Sequence, residues 1–74
     1  MRIQKKVIDQ IAKHNLRITL TKELEYGTVV EITRSTDDKK VGFLFYDQNI
    51  TDQQVLVRNI LAEFDDGVEN DQER

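Results

Sequence analysis

The hydrophobic period of this chain changes twice within 74 residues, and that switching limits the possible folds more than any other feature. At the start the apolar positions are Ile3, Val7, Ile8 and Ile11, with Gln4, Lys5, Asp9, Gln10 and Lys13 on the other side. This spacing predicts an amphipathic helix of about three turns. His14-Asn15 is expected to end it, because Asn tolerates the left-handed conformation that closes helices. The period then falls to two. Leu16, Ile18 and Leu20 alternate with Arg17, Thr19 and Thr21, the pattern of a strand with one buried face. After a turn at Glu25-Tyr26-Gly27, the largely β-branched run from Val29 to Thr33 predicts a second strand, with Val30 and Ile32 inward. Ser35 to Lys40 forms a polar hairpin loop. Val41 to Tyr46 reads as a third strand, apolar on both faces, with Phe43 and Phe45 assigned inward and Leu44 and Tyr46 outward.

The helical period then returns. Thr51 with Gln54 three residues on is a capping-box pattern, and Ile50 and Val55 are placed as a hydrophobic staple. Leu56, Val57, Ile60, Leu61 and Phe64 supply the buried stripe, and Gly67 is a C-terminal stop. The order predicts an α+β fold, α-β-β-β-α, in which a three-stranded antiparallel meander carries both helices on one face. A single domain spans residues 1–67, and residues 68–74 form an acidic tail expected to fray into solvent. A domain of this size buries only about 60% of the surface its unfolded chain exposes, so its core must be economical.

Composition narrows the functional classes. The chain has no Cys and one His, so thiolate metal sites, disulfides and thiol nucleophiles are absent from its chemistry. Asp37-Asp38 and Asp65-Asp66 are adjacent pairs rather than the spaced ligands of a calcium loop. His14 lies at a helix C-terminus, where the dipole favours a protonated imidazole. Gly27, Gly42 and Gly67 are isolated and make no phosphate loop. The expectation is a protein that is not an enzyme and needs no metal or cofactor. No run reaches the roughly 20 apolar residues of a membrane span, and the opening residues lack a signal-peptide core. These features predict a cytoplasmic chain without a membrane partner.

Charge is divided unevenly. Residues 1–40 carry nine Lys/Arg against six Asp/Glu (+3), and residues 41–74 carry two against eight (−6). Three features could bind a partner. One is the sheet face opposite the helices, where Val29, Leu44 and Tyr46 would form an apolar patch suited to a homodimer or adaptor contact. Another is the basic surface of Arg2, Lys5, Lys6, Lys13 and Arg17, whose lack of interleaved aromatic residues argues against direct nucleic-acid binding. The last is the acidic end, where Glu63, Asp65, Asp66, Glu69, Asp71 and Glu73 place six carboxylates in eleven residues. Carboxylates on a rigid element can imitate phosphates and engage Arg side chains.

The element order is that of the double-stranded RNA-binding domain. That family, however, carries lysines at the start of its last helix, and Thr51-Asp52-Gln53-Gln54-Val55-Leu56-Val57-Arg58 does not. The chain more closely resembles small phage-encoded anti-CRISPR proteins that inhibit type II effector nucleases. The similar features are the opening helix Ile3 to His14 running into Asn15 to Leu20, the tip Thr36-Asp37-Asp38-Lys39, and the last helix closing in Ile60-Leu61-Ala62-Glu63-Phe64-Asp65-Asp66-Gly67. The resemblance implies a protein-binding inhibitor that mimics DNA. Its partner would be a nucleic-acid-binding protein, a guide-loaded type II CRISPR effector nuclease, in the groove that reads the short recognition motif with Arg side chains. Carried over by position, the partner-binding residues are Asp37 and Asp38 at the tip, and Asp65, Asp66, Glu69 and Asp71 after the last helix.

Overall fold

The computed structural model describes residues 2–65. Its elements run α1 (Lys5–Ala12), β1 (Leu16–Leu24), β2 (Gly27–Arg34), β3 (Lys39–Asp47) and α2 (Gln54–Phe64). The strands form one antiparallel sheet in the order β1-β2-β3, so the fold is the expected α-β-β-β-α. One core joins Val7 and Ile11 of α1, Leu16 of β1, Val30 and Ile32 of β2, Tyr46 of β3, and Leu56, Val57 and Ile60 of α2. Both helices therefore cover the same face of the sheet. Burying an aliphatic side chain stabilises the fold by about 1.5–3 kcal/mol, so these few residues dominate its stability.

The helix ends show how local chemistry places the elements. Asn15 adopts φ 63°, the left-handed closure expected after α1. Its carbonyl oxygen then accepts a hydrogen bond from the Ser35 N–H at 2.7 Å, which ties the start of β1 to the end of β2. On α1, Val7 and Ile11 are fully buried, but Ile8 is 43% exposed and so falls outside the stripe predicted for it. At α2 the capping box expected from Thr51 and Gln54 is replaced. Asp52 Oδ1 accepts the Gln54 N–H at 3.0 Å, and the Asp52 carbonyl accepts the Val55 N–H. A carboxylate one residue closer to the helix therefore satisfies the free donor. Gln53 links the two helix starts, accepting the Gln4 N–H at 2.9 Å and donating to the Arg2 carbonyl at 2.8 Å.

The sheet departs from simple alternation at two places. The β1–β2 register shifts between Ile18 and Leu20, leaving Thr19 as the extra residue. The β2–β3 register shifts between Ile32 and Thr33, leaving Val41 as the extra residue. A bulge adds one residue to a strand whose side-chain period is two, so every position beyond it changes face. In β1, Leu16 and Ile18 stay on the helix side, but Leu20 is turned outward and is 53% exposed. In β3, Val41 and Gly42 both sit toward the helices. Gly42 provides the room for this, since a Cβ there would stand 2.8 Å from the Phe64 ring.

The bulge at Val41 corrects the sequence-based assignment of β3. Tyr46 is buried and Leu44 packs against the core, whereas Phe43 and Phe45 are 62% and 50% exposed. Of the outward patch Val29, Leu44 and Tyr46, only Val29 lies on the open face. The Tyr46 hydroxyl donates to the Asp52 carbonyl at 3.1 Å, so the buried ring keeps a partner for its polar end. Burial, with the nearby charge of Asp52, raises the Tyr46 pKa above its ordinary 10.0.

Candidate functional site

Antiparallel partners share a face, so the register reads out the open side of the sheet directly. Leu20 pairs with Glu31 and Glu31 with Phe43, while Lys22 pairs with Val29 and Val29 with Phe45. Leu24 stands beside Gly27, and the Phe45 ring reaches over that glycine, 2.7 Å from where a Cβ would lie. Leu20, Leu24, Phe43 and Phe45 are each about half exposed or more, and Val29 lies between them on the central strand. Apolar side chains from all three strands thus share one face with Lys22 and Glu31, and exposed apolar groups gathered in this way are the kind of surface that proteins keep for a partner.

The centre of this patch is polar. Glu31, only 7% exposed, is on β2 near the middle of the sheet. Thr19, the bulge residue of β1, donates to Glu31 Oε1 at 3.0 Å and sits 2.8 Å from the Thr33 hydroxyl. Lys40 Nζ is 3.6 Å from Glu31 Oε2, and the Lys40 side chain is 73% exposed. The β1 bulge thus does two things. It turns Leu20 outward and holds a hydroxyl against the central carboxylate.

The acidic residues expected to bind a partner are distributed differently. Asp37 accepts two hydrogen bonds from Arg34, from Nε at 3.0 Å and from Nη2 at 2.9 Å. This guanidinium holds the Asp37 carboxyl below its ordinary 3.8, although the side chain is half exposed. Asp38, in the left-handed conformation at φ 60°, is paired with Arg17. Asp65, just past α2, meets His14 Nδ1 at 2.8 Å and joins the C-terminal ends of the two helices. Each described acid of the set therefore faces a basic side chain of its own chain. Asp65 shares a cleft with Arg34 and Thr36 from the tip side of the sheet, so the basic Arg34 lies between the two acidic groups. Asp66, Glu69 and Asp71 lie outside the described residues.

Two clefts flank the sheet. A cavity of about 390 Å³ lies at the β1–β2 turn end, walled by Leu24, Thr28, Tyr46, Ile50 and Gln53 with Glu23 and Asp47 at its rim. Thr28 donates to Glu23 Oε1 at 3.2 Å there. A second, of about 430 Å³, opens between His14, Arg34, Phe64 and Asp65. No group of three or more His, Asp or Glu side chains is placed to hold a metal among the described residues. No described helix is long and apolar enough to cross a membrane.

A mixed α+β sandwich of one open sheet under two helices, with an apolar uncovered face, is the class this geometry defines. No family model, curated protein or solved structure matches the chain.

Sequence reasoning found the location of this face but assigned it the wrong residues in β3. The exposed Leu20, Leu24, Phe43 and Phe45 were missed, as was the buried Glu31 at the centre of the face. The available signal was Gly42, because an isolated glycine within a strand pattern marks a bulge or a close approach.

Proposed function

We propose that this chain is a non-catalytic protein-binding module that works through the open face of its sheet. The observation carrying the reading is the set of half-exposed apolar side chains, Leu20, Leu24, Phe43 and Phe45, gathered on one face around Val29. Water-exposed Phe on two alternate positions of an edge strand gains nothing for the fold's own core, and aromatic side chains are favoured anchors at protein interfaces. The test compares proteins retained from a bacterial lysate by the wild type and by a Phe43→Ser/Phe45→Ser variant. A partner held by the wild type and lost from the variant supports the reading. A partner set indifferent to both substitutions contradicts it.

A second reading is favoured by the element order, which the chain shares with the anti-CRISPR proteins it resembles. In it the chain is a DNA-mimicking inhibitor of a guide-loaded type II CRISPR effector nuclease, acting through Asp37, Asp38, Asp65, Asp66, Glu69 and Asp71. The pairing of Asp37 with Arg34 and of Asp38 with Arg17 lowers the free negative charge at two of these positions. A DNA-cleavage assay separates the two readings. Inhibition abolished by Asp65→Ala/Asp66→Ala/Glu69→Ala, and kept by the Phe43/Phe45 variant, would favour the mimic. Such contacts would also weaken as salt rises.

A further inference from the structure

We infer that the open face receives a basic side chain, Arg or Lys, carried on an apolar segment of a partner protein, with Glu31 as its counter-charge. The inference rests on the reading of this face as a protein-contact surface, and adds the chemistry of what it contacts.

Glu31 is the reason. Its carboxylate is nine-tenths buried on the central strand, between Leu20 and Phe43 on its two neighbours and after Val29 along its own. A carboxylate offers about four acceptor positions. Here one hydroxyl, from Thr19, donates at 3.0 Å, and Lys40 Nζ stays 3.6 Å away on a side chain that is mostly in solvent. An ion pair of that geometry and exposure is a weak one. Among the described residues no other donor reaches the carboxylate. A partner docking on the face would shut out solvent, and the charge would be left in an apolar interface unless the partner brought donors.

This requirement selects among occupants. A wholly apolar surface would strand the carboxylate. A second copy stacked symmetrically on the same face does no better, because an isologous contact centred on the sheet brings Glu31 toward its own twin. Like charges so placed repel. A small cation alone would find no enclosing walls on a flat sheet. An apolar protein segment with one Arg or Lys supplies the missing donors, while the exposed Lys22 and Lys40 carry their own charges out to solvent on long stems. Its apolar residues cover Leu20, Val29, Phe43 and Phe45, and its basic group replaces Lys40 at Glu31. Arg is the better fit of the two, since its planar fork can hydrogen-bond the carboxylate while lying on the Phe43 ring.

The test is a selection from a random peptide display library on the immobilised wild-type chain, counter-selected on Phe43→Ser/Phe45→Ser. The face-dependent peptides are expected to carry Arg or Lys at one fixed position among apolar residues. Synthetic versions should lose about tenfold or more in affinity against Glu31→Gln, which keeps the size of the side chain and an acceptor for Thr19. Lys40→Met, which removes the internal competitor, should tighten them. Amide spectra of both variants confirm that each is folded. Face-dependent peptides without a basic residue, or affinities unchanged by Glu31→Gln, would overturn the inference while leaving the contact surface in place. Finding no face-dependent peptide would remove both. Sedimentation of the wild type as a dimer that Phe43→Ser dissociates would also overturn it, in favour of a second copy.

Discussion

The two faces of the sheet are built from similar residues and serve opposite ends. The helix side holds Val30, Ile32 and Tyr46 at 2% exposure or less, and the open side holds Phe43 and Phe45 at half exposure or more. Neither hydrophobicity nor strand propensity separates Tyr46 from Phe45. What separates them is phase, set by one extra residue at Val41. β2, which contains no bulge residue, keeps a simple alternation, with Thr28, Val30 and Ile32 toward the helices and Val29, Glu31 and Thr33 away. The edge strands carry the bulges, at Thr19 and Val41, and these determine which of their side chains a partner can reach. Bulges at sheet edges commonly re-aim side chains in this way.

The largest expected contrast is between truncations on the two sides. Leu56→Ala should cost about 2–5 kcal/mol, because its cavity opens in a fully packed core. Phe43→Ser should cost less than about 1 kcal/mol although it removes the larger side chain. Urea unfolding of both variants checks this, and equal losses would break the contrast. Gly42→Ala comes next. Its Cβ would meet the Phe64 ring at 2.8 Å, so that ring must move from its seat, at about 1–3 kcal/mol. A neutral result would mean that the bulge does not depend on that close approach.

Smaller effects follow from the titrating groups. The raised Tyr46 pKa means that its stabilising contribution is fully present below pH 10.0 and is lost as the pH climbs past that value. Tyr46→Phe should therefore flatten the alkaline fall in stability, while losing about 1 kcal/mol at neutral pH with the Asp52 hydrogen bond. Denaturant titrations at neutral and alkaline pH measure both quantities. The smallest effect is at the hairpin tip. With the Asp37 pKa lowered by Arg34, the pairing holds above 3.8 and is lost as the pH falls below it. Carboxyl-carbon NMR should find Asp37 titrating below the usual carboxylate range, and Arg34→Ala should return it.

The order of elements was legible because helix and strand impose different periods on apolar residues. The switch at Asn15, with its left-handed closure, could be read from the residue type. The composition of the open face was signalled at Gly42 alone. A bulge changes neither the residue types nor the length of the apolar run, so Val41 to Tyr46 looks continuous while its phase turns over at Gly42. Thr19 is equally ordinary in a strand, and its value to Glu31 arises only when β1 lies beside β2. The acidic residues show the converse. Asp37, Asp38 and Asp65 stand out in a sequence as charge, but folding gives each a side-chain partner: Arg34, Arg17 and His14.

The most direct test is thiol labelling along β3, which is clean because the chain has no cysteine of its own. Phe43→Cys, Leu44→Cys, Phe45→Cys and Tyr46→Cys would be made singly and reacted with a maleimide under native conditions. The account predicts fast labelling at 43 and 45, approaching that of the unfolded chain, and strong protection at 44 and 46. Protection at 43 and 45 with fast labelling at 44 and 46 would contradict it, restoring simple alternation and placing the contact face on other residues.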